Sequence, residues 1–176
     1  MSKEKIYEEF FDLAKKMNER FGIIPLLFGS VALNMLADDE VFALYRETDY
    51  TCDLDFAVPH YMRPDRKWIC PDLVKLMENN GYEFTDLHEG EFHKGEIMIH
   101  IAGDNWFKEY ADIDVPECPI MQADGAIYKI LTLEHQLKSY TVSAECDFRH
   151  PNPDIEGYVN WDQLKADIAR KALERR

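Results

Sequence analysis

At 176 residues, with 46% hydrophobic and 12% aromatic side chains, the chain has the length and apolar content of one ordinary domain, which excludes a disordered protein. A net charge of −14, from 34 acids against 20 bases, presents a repelling surface to polyanions and argues against a broad grip on duplex DNA or tRNA. No run of eighteen apolar residues is present, so no segment is expected to span a membrane. The amino-terminal Met1-Ser2-Lys3-Glu4-Lys5 passes straight into a charged amphipathic pattern and lacks the apolar core of a signal peptide. Four scattered cysteines (Cys52, Cys70, Cys118, Cys146), with no Cys-x-x-Cys pair, read as free thiols and not as a zinc site. From these features a cytoplasmic protein is expected.

In chain order, residues 3 to 21 form the first predicted helix. Ile6, Phe10, Leu13, Met17 and Phe21 recur at spacings of three and four, and Gly22 ends the run. Ile23 to Phe28 reads as a short buried strand whose first half is weakened by Pro25. Gly29-Ser30 turns it into a helix from Val31 to Ala37, with Ser30 as N-cap. The polar stretch from Asp38 to Tyr50 is expected to be a loop or hairpin. Thr51 to Val58 alternates, with Cys52, Leu54 and Phe56 on one face and Asp53, Asp55 and Ala57 on the other. Pro59 ends that strand.

Pro71 opens a helix to about Asn80, capped by Gly81. Tyr82–Thr85 and Glu91–Ile101 read as two antiparallel strands around a polar turn. In the second, Ile97, Ile99 and Ile101 share one face, and Glu96, Met98 and His100 the other. Pro116 and Pro119 keep Ile113–Ile120 extended or at a sheet edge. Thr132 caps a helix to about Cys146, and Arg149–Gly157 is a connector. Trp161, Leu164, Ile168 and Ala172 mark the apolar side of a last helix. No repeat or low-complexity segment interrupts this order.

Two short motifs carry chemistry. Gly29 lets the backbone turn sharply between strand and helix, where unpaired N–H groups and the Ser30 hydroxyl meet an anion. Asp53 and Asp55, at i and i+2 on one strand, project from the same face roughly 7 Å apart. There they can converge on Mg²⁺ ions whose other ligands are water and phosphate oxygens. Each motif alone is common. The pair, Leu27-Phe28-Gly29-Ser30-Val31-Ala32-Leu33 followed by Thr51-Cys52-Asp53-Leu54-Asp55-Phe56, resembles the signature of the nucleotidyltransferase superfamily. That superfamily includes lincosamide and aminoglycoside nucleotidyltransferases and nucleotidyltransferase-like bacterial toxins. The resemblance covers residues 23 to 58 and extends loosely to about 150.

The resemblance implies an α/β (α+β) fold, a mixed β-sheet flanked by helices with a C-terminal helical extension. It would be a single domain over 1–176, with its core at about 22–122 and its helical part at about 130–176. It implies that Gly29 and Ser30 hold the phosphates of an NTP co-substrate and that Asp53 and Asp55 bind Mg²⁺, or Mn²⁺ in its place. Arg46 fits the arginine often found shortly before the aspartates, and Lys138 the helical lysine often turned toward the triphosphate, with Lys129 as the alternative. A third carboxylate from a neighbouring strand usually serves as metal ligand or base. Here His100 stands at that position, with Glu96 on the same face and Asp104 just beyond the strand, and any of the three is a candidate. The 22 residues between Ser30 and Asp53 (31–52) are a longer interval than the compact motif has, and read as a lid, an acceptor-binding loop or a neutral insertion. Trp106, Phe107 and Tyr110 either stack on a base or acceptor or belong to the core.

The implied reaction transfers a nucleoside monophosphate to a hydroxyl of a small-molecule acceptor, nucleic acid being disfavoured by the charge. The alternative keeps the fold without turnover, as a nucleotide- or partner-binding module such as a toxin–antitoxin component.

Overall fold

The computed structural model describes residues 3–38, 40, 41, 43, 53–62, 70–146 and 158–176. Helix α1 (Lys3–Phe21) follows its predicted stripe, burying Ile6, Phe10, Leu13 and Met17. Gly22, at φ +67°, closes it by donating its N–H to the Asn18 carbonyl at 3.0 Å. The strand after it is shorter than expected. Pro25 has no N–H for a ladder, and β1 spans only Leu26–Phe28. Helix α2 (Gly29–Leu36) begins at Gly29 with Phe28 at the cap position, so Ser30 lies inside the first turn and is not the N-cap. Of the expected loop or hairpin over 38–50, Asp38 is in a turn, the described Glu40, Val41 and Ala43 are helical, and the rest lies outside the described residues.

Strand β2 (Leu54–Val58) is followed by α3 (Pro71–Asn79). Tyr82 N–H donates to the Met77 carbonyl and Gly81 N–H to that of Glu78, at 3.1 and 2.9 Å. These two bonds and the positive φ of Gly81 form the Schellman closure that the glycine predicts. Next come β3 (Glu83–Asp86), β4 (Glu91–Lys94) and β5 (Ile97–Gly103). The single strand expected over Glu91–Ile101 is therefore two strands. Gly95, at φ +59°, breaks it into a two-residue hairpin in which Lys94 pairs with Ile97.

Helix α4 (Asn105–Ala111) leads to β6 (Ile120–Ala123) and β7 (Ala126–Ile130). Asp124 and Gly125, at φ 50° and 80°, join these strands as a tight hairpin. Helices α5 (Leu133–Ala144) and α6 (Trp161–Glu174) complete the described chain. Thr132 caps α5 as predicted, accepting from His135 N–H at 3.3 Å.

The strands form one mixed sheet in the order β3-β4-β5-β2-β1-β7-β6. Chain-distant β2 and β5 lie side by side and parallel, and β1 runs antiparallel to β2. Alternation then assigns each residue a face. Leu54, Phe56, Val58, Ile97, Ile99 and Ile101 enter the main core with α1, α2 and α3, where Phe10 meets Phe56 and Tyr128. The opposite face is apolar over Leu26, Phe28, Ala57 and Ala102, covered by Phe107 and Ala111 of α4. The rest of that face carries Asp55 and His100.

The buried stripe of α6 is Asp162, Ala166, Ala169 and Ala172, rotated from the expected Trp161, Leu164, Ile168 and Ala172. Small side chains let α6 approach α5 closely. Trp161 and Ile168 are half-buried against the main core. Among the described residues Cys70, Cys118 and Cys146 are free, and no helix is long and apolar enough to cross a membrane.

Candidate active site

Gly29 is placed against Asp55 by the sheet itself. Antiparallel pairing of β1 with β2 sets Phe28 opposite Asp55, so the residue after Phe28 must pass over that carboxylate. Gly29 does so at φ +73°. A Cβ built there would lie 2.1 Å from Asp55 Oδ2. Only glycine permits both the backbone conformation and the contact. Ser30 is 5% exposed in the first turn of α2.

On its other side Asp55 pairs with His100, because β2 and β5 are parallel and in register there. His100 Nδ1 lies 3.2 Å from Asp55 Oδ1. The β4–β5 hairpin then folds Glu91 directly opposite His100, and His100 Nε2 lies 3.2 Å from Glu91 Oε2. The other Glu91 oxygen meets His93 Nε2 at 2.7 Å and accepts from the Thr85 hydroxyl at 2.8 Å. A continuous polar line thus runs Asp55–His100–Glu91–His93 across three strands.

Charge in this cluster is uneven. The hydrogen bond to Asp55 raises His100 to about 9, against some loss to burial, and the Asp55 and Asp53 charges and Glu91 add to the rise. His100 is therefore an imidazolium at neutral pH. Burial raises Asp53 to about 6, and the neighbouring Asp55 charge adds to this, while His100 and Lys165 pull it down. Burial alone would raise Glu91, but hydrogen bonds from Thr85, His93 and His100 hold it below the ordinary glutamate value.

Above the acids, a cleft of about 130 Å³ opens between the β1–α2 turn and α4, α5 and α6. Gly29 and Asp55 form its floor, and Trp106, Gln136, Ser139 and Lys165 are among its walls. Asp162 also lines it, buried and accepting from the Ser143 hydroxyl.

Among the described residues, no group of three or more His, Cys, Asp or Glu side chains is arranged to hold a metal ion. Mg²⁺ does not require one, since it binds through one or two carboxylates and completes its shell with water and substrate phosphates. Asp53 and Asp55 supply hard oxygen donors whose mutual repulsion a cation would relieve. The donor set fits.

No protein-family model matches the chain. The uncharacterized protein YnaI of Bacillus subtilis (strain 168) is 34% identical over 169 residues, spanning 96% of this chain and 98% of that protein. The chain belongs to the YnaI family. Among solved structures, the antibiotic-resistance factor ANT(2'')-Ia is similar, with a TM-score of 0.56 at 17% identity. The match covers 98% of this chain and 86% of that one. At that identity the likeness is one of fold, and the fold of this YnaI-family chain is nucleotidyltransferase-like.

The structure brings Gly29, Ser30, Asp53, Asp55 and His100 to one end of the sheet. It does not bring Glu96, which sits exposed in the β4–β5 turn, four residues and roughly 13 Å along the strand from His100. Asp104 lies four residues beyond His100 in the other direction and accepts from the His60 backbone N–H at 3.0 Å. Lys138 points away, its Nζ donating to the Asp112 carbonyl at 2.8 Å. Lys129 donates to the Val115 carbonyl at 3.1 Å. Arg46 lies outside the described residues. Sequence reasoning missed Glu91 and Lys165. The Lys94-Gly95 break was the available signal for Glu91. For Lys165 there was none, because its position depends on how α6 packs.

Proposed function

We propose that the protein is a Mg²⁺-dependent nucleotidyltransferase that moves a nucleoside monophosphate from an NTP to a hydroxyl of a small-molecule acceptor. The observation that carries this reading is the close seating of the Gly29 turn on the Asp55 carboxylate, beside Asp53. One surface thereby offers backbone N–H groups to phosphate oxygens and carboxylates to a cation. The nucleotidyltransferase-like fold supports the same assignment.

In this reading the Ser30 turn at the α2 N-terminus holds the terminal phosphates, and Lys165, across the cleft, takes the role expected of Lys138. Mg²⁺ at Asp53 and Asp55 would supply charge neutralisation on the attacking and leaving oxygens. The acceptor oxygen forms a bond to the α-phosphorus, the bond to the β-phosphate oxygen breaks, and pyrophosphate leaves. The hydroxyl proton passes to the Glu91 carboxylate, since His100 already carries its own proton at neutral pH. Glu91 thus provides the third carboxylate from β4, one strand beyond its usual place, with His100 between it and Asp55.

A second reading is a nucleotide-binding module without turnover. It is favoured by the imidazolium of His100, which competes with a cation for Asp55. A titration with NTP and Mg²⁺ followed by thermal melting tests the shared part. Stabilisation that needs both components, and disappears in Asp53→Asn and Asp55→Asn, is expected. Absence of any shift in the wild type refutes both readings. Pyrophosphate release across a panel of hydroxyl acceptors then separates enzyme from module.

A further inference from the structure

Strand β6 (Ile120–Ala123) ends the described sheet and pairs on one side only, with β7. The bonds made by β7 show which backbone groups of β6 face outward. Ile130 N–H donates to the Pro119 carbonyl at 3.3 Å, whereas Lys129 N–H donates at 2.8 Å to the Pro25 carbonyl, on the β1 side. Ile127 is also turned away from β6. The Asn18 side chain donates to its carbonyl at 2.9 Å and accepts from its N–H at 2.8 Å. Alternate residues of β7 therefore bond to β6, and their partners are Pro119, Met121 and Ala123. The N–H and C=O groups of Ile120 and Gln122 point out from the sheet. A proline commonly blocks a sheet edge, but Pro119 does not block this one, because its missing N–H faces β7.

The side chains mark the same edge. Ile120 is 59% and Met121 41% exposed, and no residue of β6 is charged. The opposite edge, β3, carries Glu83 and Asp86, charges of the kind that keep an edge from pairing. Two copies of a chain with a net charge of −14 repel each other least where the contact contains no acids.

The strand is also self-complementary. Antiparallel pairing of two copies with Met121 on the two-fold axis sets Ile120 of each opposite Gln122 of the other. These are hydrogen-bonded pairs, so every outward N–H and C=O of both residues is used. The same register carries the turn at Val115–Glu117 alongside Gly125 of the second copy. There the exposed Lys15 side chain lies within 4 Å of a Cβ placed on Gly125. Glu117 of each copy thus approaches Lys15 of the other, and the contact is complementary in charge as well as in hydrogen bonding.

We propose that β6 is a homodimerisation edge, joining the sheets of two copies into one continuous sheet about a two-fold axis at Met121. The inference does not depend on the nucleotidyltransferase reading. One short strand from each copy makes a small interface, of the class that associates weakly and reversibly, so dimer accumulates as concentration rises.

Sedimentation velocity over a concentration series is the first test. Wild type should move from the 20.7 kDa of one chain toward twice that mass. Met121→Lys sets two like charges against each other on the axis and should remain at one chain mass. Gln122→Pro removes an outward N–H without touching the β6–β7 ladder and should do the same. Circular dichroism shows that each variant folds, and where one does not, the other decides. Cross-linking then reads the register. Met121→Cys places two thiols at the short Cα spacing of a non-hydrogen-bonded pair, within disulfide reach. Under mild oxidation it should form a reducible dimer roughly tenfold above wild type, whose native cysteines set the baseline. Ile120→Cys, out of register with its own counterpart, should stay at that baseline. Wild type that remains one chain at the highest concentration overturns the inference, whether or not another protein occupies the edge. So does a dimer that persists in folded Met121→Lys or Gln122→Pro, or cross-linking of Ile120→Cys as strong as that of Met121→Cys.

Discussion

Replacing Gly29 by Ala tests whether the β1–α2 turn and Asp55 form one unit. Two costs add. An alanine held at φ +73° loses about 1–2 kcal/mol relative to glycine. Its Cβ would also stand 2.1 Å from Asp55 Oδ2 and 2.8 Å from Asp55 Cγ. The carboxylate must move by about 1 Å to restore contact distance, which breaks its 3.2 Å interaction with His100. A hydrogen bond between charged groups contributes about 1.5–3 kcal/mol, so the total is about 2.5–5 kcal/mol. Gly95→Ala is the internal control, since Gly95 has φ +59° and nothing within 4 Å of a Cβ. It carries the conformational cost alone, about 1–2 kcal/mol. In a chain of this size each kcal/mol moves Tm by about 2–4 °C, so Gly29→Ala should melt roughly 10 °C below wild type and Gly95→Ala roughly 4 °C. Urea denaturation followed by circular dichroism gives the free energies directly. A Gly29→Ala cost no larger than that of Gly95→Ala refutes the coupling of the turn to Asp55.

His100 makes metal-free stability pH-dependent. Its value in the folded state, about 9, exceeds its ordinary value of 6.5. The contribution is fully present below pH 6.5 and is lost as pH rises through 9, roughly 2 kcal/mol after allowance for solvent screening. Urea midpoints in EDTA between pH 6 and 9.5 should show this fall in wild type and not in His100→Asn, and parallel curves for the two refute it. Asp53 has the opposite consequence, since its folded value of about 6 lies above the ordinary 3.8. The resulting penalty is absent below pH 3.8 and complete above 6. Asp53→Asn should therefore stabilise the metal-free protein at pH 7.5, by roughly 1–2 kcal/mol, while abolishing Mg²⁺-dependent nucleotide binding. Destabilisation at that pH contradicts the assignment. Lys165→Ala should weaken NTP binding at least tenfold, whereas Lys138→Ala, whose amine is spent on Asp112, should leave it within twofold. The reverse order restores Lys138 to the site.

What could be read from the sequence divides by range. Asp53-Leu54-Asp55 declared its own faces, because strand alternation needs no partner to be interpreted. Thr132 and Gly81 declared helix ends for the same local reason. Asp124-Gly125 was an equally local hairpin signal that went unread, and β7 with it. Gly95 was harder. An apparently continuous strand from Glu91 to Ile101 keeps Glu91 some thirty ångströms from Ile101, whereas a two-residue turn puts it opposite His100. One glycine thus decides whether a carboxylate stands opposite His100. The buried face of α6 was illegible, because Asp162 turns inward to accept from the Ser143 hydroxyl on α5. No periodicity rule places an aspartate inward without knowing its partner.

Asp55 is the residue on which three demands meet. The sheet presses Gly29 against one of its oxygens and sets His100 beside the other. A Mg²⁺ site needs an open oxygen, and without metal one of the two, Oδ1, is engaged by His100. The line from His100 through Glu91 to His93 offers a way out. If a cation takes the Asp55 oxygen, the imidazole still has Glu91, so losing the Asp55 contact does not strand a buried charge. Glu91 then keeps the pair's net charge at zero beside a newly bound cation. An acid in place of His100 would add a metal ligand but would face Glu91 as a like charge at close range, which is unfavourable at a part-buried position. His100 and Glu91 therefore act as one charge pair distributed over two strands, and a variant changing only one of them should be less stable than one changing both to a neutral hydrogen-bonding pair.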